Sequence, residues 1–147
     1  MRWRFVDKLH GYQQWHALAG TKAVSLEEYN LHEPFGRTGV LPESVVLEAC
    51  VQVARWLVSR SSDFELTCVL SNVNDFSFDG EAGMGDVLGI RVRVLGRADM
   101  SSDVQCEVAC RGRSLARGTI TVSLVPLADS FDRGMVEGMW QELHGKA

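Results

Sequence analysis

The stretch VVLEACVQVARWLV, residues 45–58, constrains this chain more than any other. Pro42 suits a first helical turn and Glu43 suits the positive end of a helix dipole, so the sequence predicts one helix from about Pro42 to Ser59. At helical period Ser44, Glu48, Gln52, Arg55 and Ser59 share one narrow stripe, and every other position is apolar. A helix apolar on most of its sides has to be wrapped by the rest of its own chain.

Strand-like runs supply the wrapper. Residues 2–10 and 13–26 read as two strands with a turn at Gly11-Tyr12, and residues 27–41 read as an irregular segment around Pro34, Gly36 and Gly39. After the helix come runs at 65–78, 86–97, 102–111 and 114–125. IRVRVL at 90–95 alternates strictly, as a half-buried strand does, and Arg111-Gly112-Arg113 reads as a tight hairpin. The order predicts an α+β protein in which an antiparallel sheet curls around one long helix. Residues 1–126 form that domain, and 127–147 a tail in which Met135, Val136, Met139, Trp140 and Leu143 fall at helical spacing.

The 147 residues fit one domain with a real core, and 46% hydrophobic content argues against disorder. A net charge of -4 argues against a general nucleic-acid binder; Arg91, Arg93 and Arg97 read as polar faces of exposed strands, as do Arg111, Arg113 and Arg117. No run reaches the about 18 apolar residues a membrane helix needs, and MRWRFVDKLHG lacks the apolar core of a signal peptide. Cys50, Cys68, Cys106 and Cys110 form no C-x-x-C pair, and reduced, buried thiols in a cytoplasmic protein are the expectation. No metal site and no cofactor is expected. His and Cys do not cluster at ligand spacing, GEAGMGD precedes a strand rather than a helix, and nucleophile-elbow and phosphate-loop motifs are missing.

Two residue types remain for chemistry. Glu48 lies either on a solvated stripe or on one that faces a crevice, where desolvation would suit its carboxyl group to acid–base work; periodicity leaves both open. His10, His16 and His144 sit in strands or the tail, whereas His32 lies in the segment feeding the helix, a natural position for a base.

The stretch from His32 to Gln52, HEPFGRTGVLPESVVLEACVQ, resembles the signature of the β-hydroxyacyl-(acyl-carrier-protein) dehydratases, roughly G-H-F-P-G-R-P-V-M-P-G-x-x-x-x-E-A-x-A-Q. Arg4-Phe-Val-Asp-Lys is similar to that family's F-L-L-V-D-R strand, and Gly85-Asp86-Val-Leu to its P-G-D-x-L. The resemblance spans about residues 2–125 and implies a hotdog fold, a long central helix wrapped by a curved antiparallel sheet. It implies a 3-hydroxyacyl thioester substrate on acyl-carrier protein or coenzyme A, in fatty-acid-type or polyketide-type synthesis. It also implies a homodimer, or a higher oligomer, with acyl sites at the subunit interface. In this reading His32 is the base at C2, Glu48 the acid at the C3 hydroxyl, Glu43 the residue whose backbone N–H polarises the thioester carbonyl, and Gln52 the partner of the carboxylate. The chain departs from the pattern at Leu31, Glu33 and Glu43, and its segment from His32 to Glu48 is two residues longer. These departures motivate an alternative on the same fold, a non-catalytic acyl-binding or partner subunit; a further alternative is a thioesterase on that fold, in which a helix carboxylate activates water.

Overall fold

A computed structural model of the protein describes residues 6–24 and 40–144. Its centre is helix α1, Glu43–Ser61, which begins at Pro42 and runs two residues past the end expected from sequence. Six strands surround it: β1 (Lys8–Gln13), β2 (Ala17–Ala23), β3 (Leu66–Phe78), β4 (Val87–Ala98), β5 (Ser101–Cys110) and β6 (Arg113–Pro126). They form one antiparallel sheet in the order β1-β2-β4-β5-β6-β3. The chain crosses the helix between β2 and β3, so the strand that follows the helix lands on the far edge.

Alternation decides which face each strand buries. In β5, Ser102, Val104, Cys106, Val108 and Cys110 point inward, and in β4 Leu88, Ile90 and Val92 do the same. Their inner face packs on Ala49, Cys50, Val53 and Leu57 of α1. The helix lies close to β2 because Gly20 carries no side chain: a Cβ there would stand 3.0 Å from Val6 Cγ1 and 3.2 Å from Val53 Cγ2. All four cysteines are free and buried. Cys50 and Cys106 meet across the helix–sheet contact; a hydrogen bond between the thiols, reinforced by burial, pushes Cys50 well above the ordinary thiol range.

Two local expectations are corrected. The first hairpin turns at Gln14–His16, not at Gly11-Tyr12, and His16 lies in that turn rather than inside a strand. Gly11, at φ +67, is absorbed as an irregularity within β1. Trp15 takes the left-handed backbone conformation (φ 52), and its N–H donates to Ser61 Oγ at 2.8 Å, which anchors the turn to the end of α1. The β5–β6 hairpin falls where Arg111-Gly112 predicts, with both residues at positive φ and Cys110 facing Arg113.

After β6 a short turn, Leu127–Asp129, leads to helix α2, Arg133–His144. Val136, Trp140 and Leu143 are buried, and Trp140 packs edge-on against Tyr12 and obliquely against Trp56. Arg133 anchors the start of α2 through Glu137 (2.9 Å), Glu65 (3.3 Å) and the Asp63 carbonyl (3.0 Å).

Candidate functional site

The polar stripe of α1 does not run through solvent. Ser44 is exposed at its start, Glu48 is half-buried, Gln52 is 2% exposed, Arg55 is half-buried, and Ser59 is again 2% exposed. The stripe side of the helix faces β3: Arg55 donates from Nε to the Cys68 carbonyl at 3.2 Å. Beside that guanidinium, burial still pushes the Cys68 thiol up to about 12, the positive charge pulling the other way. Glu48 therefore sits where the stripe leaves water and enters the protein, one helical turn before a buried amide.

At the N-terminal end of α1 lies a crevice of about 320 Å3. Leu41, Pro42, Glu43 and Val46 form its helix side, and Phe78, Ala82 and Leu115 its sheet side. These seven come from four stretches of chain that the β3–β6 register and the Leu41 N–H to Ala82 carbonyl bond (2.7 Å) bring together. Pro42 makes no side-chain cap, the Val45 N–H donates to the Pro42 carbonyl at 3.0 Å, and the first-turn N–H groups carry the positive end of the helix dipole. A carbonyl oxygen fits that environment. Glu43, the first helical residue, is exposed and lines the crevice.

A neighbouring hollow of about 360 Å3 shares Gly80, Glu81 and Leu115 with this crevice and ends on the β5–β6 hairpin at Arg111 and Arg113. Asp86 holds that corner together. Its carboxylate accepts from the Gly83 N–H and from Arg111, both at 2.8 Å, and the first of these bonds, supported by the guanidinium, keeps it below the usual carboxylate range.

Of the residues predicted for the site, Glu43, Glu48 and Gln52 lie along the first three turns of one helix. His32 lies outside the described residues. Phe78, Ala82 and Leu115 were not anticipated, because no local motif marks a wall made by strand pairing. Among the described residues no group of His, Cys, Asp and Glu could hold a metal ion, and no helix is long and apolar enough to cross a membrane.

No protein-family model matches the chain. It is similar to the 3-hydroxyacyl-(acyl-carrier-protein) dehydratase FabZ of Lactiplantibacillus plantarum, with 27% identity over 127 residues, 86% of each chain. Among solved structures it is similar to a hypothetical thioesterase with coenzyme A from Streptococcus pneumoniae TIGR4, at a TM-score of 0.64 and 16% identity over 81% of this chain and 85% of that one. It is also similar to a hot-dog-like protein from Thermanaerovibrio acidaminovorans, at 0.67 and 13% over 88% and 92%. The helix wrapped by a six-stranded antiparallel sheet is the hotdog fold.

Proposed function

We propose that this chain, a divergent member of the hotdog-fold dehydratases and thioesterases, removes water from 3-hydroxyacyl thioesters carried on acyl-carrier protein or coenzyme A. The observation that carries the reading is the place of Glu48: half-buried, between a helix start open to a carbonyl and a buried Gln52 one turn further on. A carboxyl group so placed lies within reach of a substrate whose carbonyl rests at the helix start, as a general acid requires.

The chemistry follows from those positions. The thioester carbonyl accepts a hydrogen bond from the Glu43 N–H, which acidifies the C2 hydrogen. His32 takes that proton, the electrons of the C2–H bond form the C2=C3 double bond, and the C3–O bond breaks. Glu48 gives its proton to the departing hydroxyl, which leaves as water. Gln52 orients the carboxyl group.

The reading includes a homodimer. The inner face of β3 carries Leu70 and Val73, cross-strand from the buried Val122 and Ile120, yet they are 38% and 41% exposed. A 13-residue edge strand with exposed apolar side chains calls for a partner, and a second copy would cover it. The free, buried cysteines fit a reducing, cytoplasmic setting.

Hydration of trans-2-enoyl thioesters, followed by loss of enoyl absorbance, tests the proposal. The wild type should hydrate them, and Glu48→Gln and His32→Ala should each remove the activity; an inactive wild type, or two harmless substitutions, would sink it. A second reading, hydrolysis of the thioester by water activated at Glu48, is favoured by the likeness to the S. pneumoniae thioesterase. It predicts release of free thiol from saturated and enoyl thioesters alike, whereas hydration releases none.

A further inference from the structure

The face of the sheet turned away from α1 carries Arg91, Arg93 and Arg117, all exposed. Strand register sorts its side chains into rows that cross β2, β4, β5 and β6. One row reads Ala19, Arg91, Glu107, Arg117. The next, two residues along and on the same face, reads Ala17, Arg93, Gln105, Thr119. Arg91 and Glu107 stand directly opposite each other, within about 5.5 Å at Cβ. Among the described residues they nevertheless close no ion pair. Arg93, by contrast, donates to Gln105 Oε1 at 2.6 Å. These four side chains stand around a hollow of about 190 Å3. A second hollow, of about 230 Å3, lies beside it over Ala19, Gly89 and Ala109, where side chains are short or missing. At the other end of the first row the Arg117 side chain is 71% exposed.

That first row is complementary to itself. A two-fold axis parallel to the strands and midway between β4 and β5 lays a second copy's sheet face to face on the first and reverses the row. Arg91 then meets Glu107 of the other copy, and Glu107 meets its Arg91. The long side chain of Arg117 enters the other copy's hollow over Ala19. Size and charge are therefore both matched. A polyanion that suits the three guanidinium groups meets Glu107 in their midst, and a polycation meets the guanidinium groups themselves. With a net charge of -4 on each chain, only a local match of this kind draws two copies together.

We propose that the outer face of the sheet is a contact between two copies of this chain, additional to the one at β3. It lies on the opposite side of the sheet from α1 and uses none of the residues assigned to the dehydration, so it stands whether or not that activity does. Stacked sheets cross at about 30°, so the central rows supply the contact. Exposed ion pairs contribute little each, so it forms at high protein concentration and dissolves on dilution before the β3 contact does.

Sedimentation equilibrium between about 10 μM and about 1 mM protein tests this. The wild-type mass should double across that range. Arg91→Glu and Glu107→Arg, each alone, set like charges over each other and should weaken the contact by at least about tenfold. Mixed in equal amounts the two variants should associate again, because a row with two carboxylates then lies on a row with three guanidinium groups. Damage to either variant's fold cannot produce that rescue. The double variant, which exchanges the two charges, should associate as the wild type does. Ala19→Leu keeps every charge but fills the hollow that receives Arg117, and should also weaken the contact severalfold. A wild-type mass that stays constant across the range overturns the proposal. So does a mixture of the two folded single variants that associates no better than either alone. Should a single variant fail to fold, an unaltered mass in Ala19→Leu overturns it instead. A hexaglutamate peptide that binds wild type but not Arg91→Glu, with the protein's own mass constant, overturns it in favour of an acidic partner.

Discussion

The two ends of α1 carry the same kind of polar stripe and treat it differently. At the N-terminal end Glu43 and Ser44 are exposed, Glu48 is half-buried, and a crevice of about 320 Å3 adjoins the first turn. At the C-terminal end Gln52 and Ser59 are sealed in, Trp56 is 5% exposed, and Trp140 of α2 packs against Trp56. A polar group left at the boundary of water stays within reach of a bound molecule, whereas one enclosed by apolar neighbours has to be hydrogen-bonded and is fixed in place. In the proposed reading the open end serves chemistry and the closed end stability, and substitutions should separate the two.

The largest effect belongs to the open end. Glu48→Gln should lower turnover by about 10²- to 10⁴-fold, the usual worth of a general acid, with the melting temperature within a few degrees of wild type. A large fall in melting temperature instead would show that Glu48 belongs with the closed end. The mirror experiment is Trp140→Ala. Trp140 is 5% exposed, with ring centroids 5.6 Å from Tyr12 and 6.2 Å from Trp56, so its truncation should cost about 3–5 kcal/mol of unfolding free energy in denaturant titrations. Loss of much less than this would mean that α2 covers the helix without holding it.

How far these ends were legible in sequence differs for a physical reason. The helix and β3 to β6 were readable within one or two residues, because burial on a fixed face writes a period into the chain: VVLEACVQVARWLV and IRVRVL are direct records of what each element covers. The first hairpin was displaced because its turn rests on tertiary contacts. Trp15 holds a left-handed conformation with its ring 4.0 Å from the Arg97 guanidinium, a partner 82 positions away. Spacing put Glu48 and Gln52 on one stripe and the resemblance singled them out, but their depth was not legible, since a stripe at helical period looks the same whether water or β3 faces it. The walls at Phe78, Ala82 and Leu115 exist only through strand register.

The sheet repeats the contrast on a smaller scale. β5 buries every second residue, whereas β3, three residues longer, is exposed from Val69 to Asp75. If a second copy covers that surface, Leu70→Lys with Val73→Lys should shift the protein to monomer in light scattering and weaken the dimer by at least about tenfold, since each apolar side chain buried in the contact contributes on the order of 1.5–3 kcal/mol. An unchanged mass would place the interface elsewhere. The same pair should leave Trp140 and the closed end undisturbed by near-ultraviolet circular dichroism.

The smallest effect probes the corner beside the open end. Asp86 accepts from the Gly83 N–H and from Arg111 in the folded protein, and these bonds hold its folded pKa below the unfolded value. A carboxylate with a depressed folded pKa contributes stability that is fully present above the ordinary Asp value of about 3.9 and is lost as pH falls through the lower, folded value. Asp86→Asn removes that contribution. The variant should therefore be less stable than wild type at neutral pH, and the gap should narrow as the pH drops below about 4. Arg111 is 71% exposed on its side chain, so solvent screens the pair and the neutral-pH loss should stay small, with high salt shrinking it further. A gap that widens in acid would mean that Asp86 is held neutral in the fold, and the Arg111 contact would then have to be set by hairpin geometry alone.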